Sequence, residues 1–274
     1  MIEAISTDIR LVTVQNLLLY RVRLLEAYPN ITHAIFTRHG GFSLSPYQSL
    51  NLSISTGDDP ETVRKNFGQA CQAIEVRPDQ TASCHQIHSA RVFIVTRANQ
   101  QRVMGKGDAL ITAEAGIYLF MRFADCTPLL FFDPVRQAVG SAHAGWRGTM
   151  QNIAGTTVAA MNREFGCRPA DIITVIGPAI GPCCYEVGPE VVAAAQETFG
   201  DISDLFVYRS RQKGHAYFNL GWANERQLME AGVQKIVDTR LCTSCKTDKF
   251  FSHRAEQGRT GRLGTMIGLR ESAV

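Results

Sequence analysis

A chain of 274 residues can bury a substantial core, in one large domain or two modest ones. With 45% hydrophobic and 19% charged residues it has an ordinary globular composition, and a net charge of +3 on scattered Lys and Arg, with no binding motif, argues against a nucleic-acid partner. No stretch reaches the roughly 18 apolar residues of a membrane span, and Arg21 and Arg23 interrupt the run at Leu17 too soon for a signal peptide. The expected compartment is therefore the cytoplasm, where the eight cysteines are expected to be free, metal-bound or catalytic.

No repeat or linker divides the chain, so residues 1–274 read as a single domain. Residues 31–37 form an expected strand, broken by Arg38-His39-Gly40-Gly41, whose paired glycines permit a tight turn. Asp58-Asp59-Pro60 reads as the start of a helix over 61–74, with Pro60 near its first position. Strands are expected over 92–96 and 116–123, the second apolar enough to be covered on both faces. A helix over 149–165 stops at Gly166. A strand over 171–176, helices over 189–199 and 222–231, and a strand over 264–269 complete the chain. Without a strict βαβ rhythm, this order predicts an α+β fold with mixed sheets.

Ala124-Asp125-Cys126 and His143-Ala144-Gly145-Trp146-Arg147-Gly148 flank a predicted β-hairpin. Apolar runs lead into and out of Asp133-Pro134-Val135-Arg136, which has turn chemistry. Centred between Cys126 and His143, a tight turn would oppose the two side chains with Cβ atoms roughly 4.5–5.5 Å apart. A longer loop would shift the register by a residue or two. Thiol and imidazole so placed can share a metal ion or a proton, with Cys126 as ligand or as a nucleophile whose base is His143.

His88, before the strand over 92–96, can complete a His/Cys/His set suited to zinc or copper, leaving a fourth position open. His85 is its rival, three residues earlier and on the opposite face of an extended segment. Arg147, just ahead of a helix, and Arg38, beside the paired glycines, are candidate anion-binding groups. Cys242-Thr243-Ser244-Cys245 is a lone CxxC with no second pair at zinc-site spacing, and Cys183-Cys184 are adjacent; both sets read as structural or incidental. The segment from Ile176 to Pro182 lacks the Gly-Lys-Ser/Thr ending of a phosphate loop.

Phe36-Thr37-Arg38-His39-Gly40-Gly41, Ser49-Leu50-Asn51-Leu52, Gln86-Ile87-His88 and Gly107-Asp108-Ala109-Leu110 occur in that order. They are followed by Ala124-Asp125-Cys126, the His143 segment, Ile176-Gly177-Pro178-Ala179-Ile180-Gly181, Cys184-Tyr185-Glu186-Val187-Gly188 and Phe251-Ser252-His253-Arg254. Over nearly its whole length the chain resembles the YfiH-type polyphenol oxidase (laccase-like) family, whose members are also described as purine nucleoside phosphorylases. The resemblance implies a zinc or copper site made by His88, Cys126 and His143, in a four-layer α/β/β/α arrangement related to toxin deamidases with a Cys–His site. It implies small-molecule nucleoside and phosphate as partners. The activities it brings are phosphorolysis of adenosine, inosine and methylthioadenosine, adenosine deamination, phenol oxidation and peptidoglycan-precursor editing. A metal-dependent phosphorylase, with Arg38 or Arg147 neutralising phosphate, is the leading expectation. A cysteine amidohydrolase and a copper-dependent phenol oxidase are the alternatives, although a single three-ligand site poorly matches the several coppers of ordinary laccases. His253 departs from the family pattern, standing where a tyrosine is usual before the arginine.

Overall fold

The computed structural model describes residues 8–207 and 210–271, and within them the fold is mixed α+β, with three sheets and six α-helices. A seven-stranded sheet runs from Ile9–Val14 through Leu17–Val22, Ile31–Phe36, Leu263–Leu269, Tyr118–Phe123 and Thr81–His85 to Val103–Lys106. A six-stranded sheet runs from Lys235–Asp238 through Ile173–Ile176, Thr127–Asp133, Ala138–Ala144 and Ala109–Thr112 to Val92–Ile94. Three short strands, Glu186–Val187, Ala216–Phe218 and Phe206–Val207, make a third sheet beside the helix Pro189–Phe199.

Strand side chains alternate between faces, and both faces are apolar here, which is why the strands read as unbroken hydrophobic runs. Leu119, Met121, Phe123 and Ile267 of the first sheet share a core with Leu130, Phe132, Val139 and Val175 of the second. The alternate residues Tyr118, Phe120 and Met266 pack on Phe67 and Ala70 of the helix Pro60–Ala73. Leu129, Phe131 and Ala142 pack instead on Val158 and Met161 of the helix Ile153–Phe165 and Leu228 of the helix Leu220–Glu230. Each such fully buried Leu or Phe side chain contributes about 1.5–3 kcal/mol.

Local chemistry sets the element ends. Asp59 caps the helix Pro60–Ala73 by accepting the Thr62 N–H at 2.8 Å, with Pro60 in the first turn. The single helix expected over 149–165 is instead two, Trp146–Met150 and Ile153–Phe165. Asn152 breaks it by turning left-handed (φ 57°) and capping the second helix through the Gly155 N–H at 3.0 Å. Gly166, at φ 68°, ends that helix as expected.

The expected hairpin exists, but its register differs from the tight-turn arrangement. Ala138 pairs with Asp133, His143 with Pro128 and Ala144 with Thr127. Residues 134–137 form the loop, which Asp133 organises by accepting the N–H groups of Val135 and Arg136 at 2.7 and 2.9 Å. That loop moves the centre of symmetry one residue along the chain, so Cys126 lies just beyond the ladder rather than opposite His143.

Candidate metal centre

Four strand ends meet at one rim: Phe123 and Thr127, joined by the segment that passes between the two large sheets, with Ala109 and Ala144. This rim brings together His88, Cys126 and His143, whose donor atoms all lie within 4.8 Å of one another. Cys126 Sγ is 3.9 Å from His88 Nε2. Zinc–sulfur and zinc–nitrogen bonds of about 2.3 and 2.0–2.1 Å put tetrahedral neighbours about 3.6 Å apart, so two imidazoles and a thiolate here fit one shared ion. His85 is not in this group; it is exposed at the end of its strand.

Asp108, fully buried immediately before the strand Ala109–Thr112, organises the cluster. Its Oδ1 accepts the His143 Nδ1–H and the His88 N–H, each at 2.9 Å. Its Oδ2 accepts the Ser89 N–H at 2.7 Å, the Ser89 hydroxyl at 2.8 Å and the Ile87 N–H at 3.2 Å. Burial alone would raise the pKa of this carboxyl, but the bonds from His143 and Ser89 outweigh it and hold it at about 2. With Nδ1–H committed to Asp108, His143 turns Nε2 toward the cluster, the nitrogen that would carry the lone pair of a metal ligand or a general base once its proton is lost. The same carboxylate holds His88 at φ 62°, a left-handed backbone that a non-glycine residue adopts only under restraint. Gln86 anchors this loop by exchanging two hydrogen bonds with the Arg122 backbone, at 2.6 and 3.0 Å.

Asp125, at φ 83°, is restrained in the same way. Its carboxylate accepts the Thr243 hydroxyl at 2.6 Å and the Arg254 N–H at 2.7 Å, and its carbonyl accepts the Ile180 N–H at 2.9 Å. The next residue, Cys126, is thereby aimed at His88 and His143. Gly145 completes the cradle: a Cβ there would lie 2.7 Å from the His88 ring and 2.9 Å from Cys126 Sγ. Burial opposes the Cys126 thiolate, yet the adjacent His143 and His88 bring the thiol down to about 6. Burial likewise opposes the His143 imidazolium, and Cys126 with Asp108 raises it to about 9. With no ion between them, each charge favours the other, the thiolate raising the imidazole and the imidazolium lowering the thiol.

A cavity of about 540 Å³ opens on His88 and His143, lined also by His85, Arg122, His253 and Arg262. Arg262 is close enough to Cys126 and Asp125 for their charges to raise its pKa, although burial lowers it further. On another side stands Tyr185, its phenol pushed up by burial and by Cys126, with the Arg254 guanidinium 5.3 Å from its ring centre. Arg147 is exposed, lies over Trp146 at 4.4 Å, and makes no ion pair among the described residues. Arg38 departs from the expectation of an anion-binding group. Its Nε donates to the Gln48 carbonyl at 2.9 Å, and its Nη1 to the Thr247 carbonyl at 2.7 Å and to Glu256 at 3.0 Å. Stacked 4.5 Å over Phe251, it ties two loops together rather than presenting its charge to a ligand.

The profile of a family described as multi-copper polyphenol oxidoreductase laccase matches residues 32–270. The chain belongs to this family. Among its relatives, the purine nucleoside phosphorylase YlmD of Geobacillus stearothermophilus is 39% identical over 248 residues, covering 86% of this chain and 89% of its own length. A purine nucleoside phosphorylase of Bacteroides thetaiotaomicron is 34% identical over 89% of this chain and 94% of its own. The crystal structure of the Bacillus licheniformis hypothetical protein YfiH superposes with a TM-score of 0.89 at 33% identity, covering 96% of this chain and all of that one. Within the laccase-like family described, the match takes in every residue of the rim, from His88 to Arg262. No helix among the described residues is long and apolar enough to cross a membrane.

Two groups at the rim had no signal of their own in the sequence. Asp108 lies in the segment Gly107-Asp108-Ala109-Leu110, but its partners include backbone N–H groups some twenty residues away. Arg262 reaches the cavity from the far end of the chain.

Proposed function

We propose that the chain is a cytoplasmic, metal-dependent purine nucleoside phosphorylase whose reaction centre is His88, Cys126 and His143, taking adenosine, inosine and methylthioadenosine with inorganic phosphate. One observation carries this reading: a cluster of two imidazoles and a thiol borders a cavity whose walls bear arginines, in a chain with relatives, matched along most of their length, that are named for that activity. The two imidazoles and the thiolate would hold zinc, with copper as the alternative. A bound ion supplies Lewis acidity at the open position, for phosphate or for water.

The protein's own groups then divide the work. Arg262 and Arg122 offer charge-assisted hydrogen bonds to phosphate oxygens within the cavity, and Arg147 adds a free guanidinium nearby. Asp108 holds the His143 Nδ1–H, so that Nε2 is the nitrogen presented to the reaction centre. In phosphorolysis a phosphate oxygen forms the bond to ribose C1′ while the C1′–N9 bond breaks, its electron pair leaving with the purine. Water in place of phosphate, adding at the purine C6 while the C6–N6 bond breaks and the amino group leaves as ammonia, would convert adenosine to inosine at the same centre. Purified protein is expected to form ribose-1-phosphate from adenosine or inosine, and 5-methylthioribose-1-phosphate from methylthioadenosine, in phosphate buffer, and Cys126→Ala to abolish both. No product at high protein concentration, with the metal restored, would overturn the proposal; inosine formed from adenosine without phosphate tests the deamination.

A second reading has its own support in the thiolate–imidazolium pair backed by a buried carboxylate. Cys126, His143 and Asp108 have the order of nucleophile, base and orienting acid found in cysteine hydrolases. An amidohydrolase acting on a peptidoglycan precursor would survive chelation and die on alkylation of Cys126. The phosphorylase loses activity with its metal.

A further inference from the structure

The lone CxxC does find a second pair of thiols. Cys183, Cys184, Cys242 and Cys245 converge so that all four sulfurs lie within 4.8 Å of one another. We propose that these four cysteines bind a structural zinc ion, separate from the His88–Cys126–His143 cluster.

The backbone brings the two pairs together. Ala179 and Cys242 form a parallel bridge, in which the Ala179 N–H donates to the Leu241 carbonyl at 3.1 Å and the Thr243 N–H to the Ala179 carbonyl at 3.0 Å. Each pair then sits on a tight turn, closed by the Cys184 N–H on the Gly181 carbonyl at 2.9 Å and by the Lys246 N–H on the Cys242 carbonyl at 3.1 Å. These turns aim two thiols from each strand of chain into the same space. Gly181 allows the approach: a Cβ there would press on Cys183 Sγ and Cys242 Cβ at 3.3 Å. Its N–H donates to Cys242 Sγ at 3.2 Å, the kind of support that outer groups give to a metal-bound thiolate.

The chemistry of the donors selects the ion. Four thiolates arranged around one centre suit tetrahedral zinc, whose bonds of about 2.3 Å place sulfurs about 3.8 Å apart. Cys183 and Cys184 Sγ are each 3.3 Å from Cys245 Sγ, so the sulfurs spread by about half an ångström on taking up the ion. A cluster of several irons would need its cysteines spread wider than 4.8 Å. Cys183 and Cys245 are exposed, and exposed thiols this close would otherwise be an oxidation liability.

The ion would clamp loops that bear on the reaction centre. Ile180 and Thr243, which hydrogen-bond Asp125, lie within three residues of these cysteines. Zinc at this second site therefore fixes the segment that delivers Cys126, without touching a substrate.

The test uses the full chain carrying Cys126→Ala, which removes the first cluster's thiolate and with it any sulfur–metal signal from that site. Purified untagged under reducing conditions, this variant is expected to carry about one zinc per chain by elemental analysis. After removal of the zinc, cobalt titration should saturate at about one equivalent, with sulfur-to-cobalt charge transfer and the intense visible bands of a tetrahedral site. Adding Cys245→Ser, an exposed position, should cost most of that spectrum. Zinc removal should lower the thermal midpoint by about 5–10 °C. Absence of thiolate–cobalt bands in a folded, fully reduced chain would overturn the proposal. Iron or copper in place of zinc would overturn the assignment of the metal.

Discussion

Replacing Asp108 with asparagine tests how the rim is held together. The carboxylate accepts five hydrogen bonds, two at Oδ1 and three at Oδ2, and donates none. An amide keeps one acceptor and turns an NH₂ toward N–H or O–H donors on the other side. Two or three donors then lose their partner, at about 1–3 kcal/mol each, so about 2–9 kcal/mol of stability should disappear. A protein of this size has about 5–15 kcal/mol to lose. The variant's effect on metal is separable from this. Without the carboxylate, His143 is no longer held with Nε2 toward the cluster, and zinc affinity should fall about 10–100-fold. Urea unfolding of the metal-free proteins measures the first quantity, and competition with a chromophoric chelator measures the second. Ser89→Ala is the control: it removes one of the five bonds to Asp108, together with the bond that the hydroxyl accepts from the Arg91 N–H, costs about 1–2 kcal/mol, and leaves zinc affinity unchanged. Were Asp108→Asn to hold zinc as tightly as the parent, with the same urea midpoint, the role given to Asp108 would be wrong.

Three other outcomes are expected. The buried His33 ring accepts the Val22 N–H at 2.8 Å, and burial with nearby Arg21 pushes its pKa down to about 3, so the folded chain resists a proton that the unfolded chain takes below 6.5. This contribution to stability is complete above pH 6.5 and is lost as pH falls toward 3, by about 2 kcal/mol at pH 5; an unfolding series in which His33→Gln keeps the parent's acid slope would count against it. Gly145→Ala should lower zinc affinity at least about 10-fold, because the new Cβ displaces His88 or Cys126, as a chelator competition would reveal. Arg262→Ala should raise the KM for phosphate about 10-fold or more with little change in the KM for nucleoside, and equal shifts in both would remove Arg262 from the phosphate site.

What the sequence disclosed about the rim followed from how local each signal was. The mixed α+β class could be read because runs such as Leu129 to Phe132 and capping sequences such as Asp59-Pro60 carry their reasons within a few residues. The break at Asn152 escaped because a helix pattern of apolar spacing does not register one left-handed residue. The hairpin register slipped because Asp133 organises a four-residue loop that turn composition alone does not distinguish from a tighter one. The approach of His88 to Cys126 rested on resemblance, since 38 residues of intervening chain separate them. Spacing rules also failed for the four cysteines. Their pairs lie about sixty residues apart and meet only through the bridge between Ala179 and Cys242.

The strand Leu263–Leu269 does not sit at an edge. It is inserted between Ile31–Phe36 and Tyr118–Phe123, antiparallel to both, in the middle of the seven-stranded sheet. During synthesis, both neighbours leave the ribosome well over a hundred residues before the strand that joins them. In that interval two apolar strand edges stay unpaired, the condition that favours mispairing and aggregation. Asp125 waits as well, since Thr243 and Arg254 arrive late. A chain halted before residue 263 should therefore be insoluble rather than partly active. Competence at the rim is acquired only when the end of the chain closes the sheet.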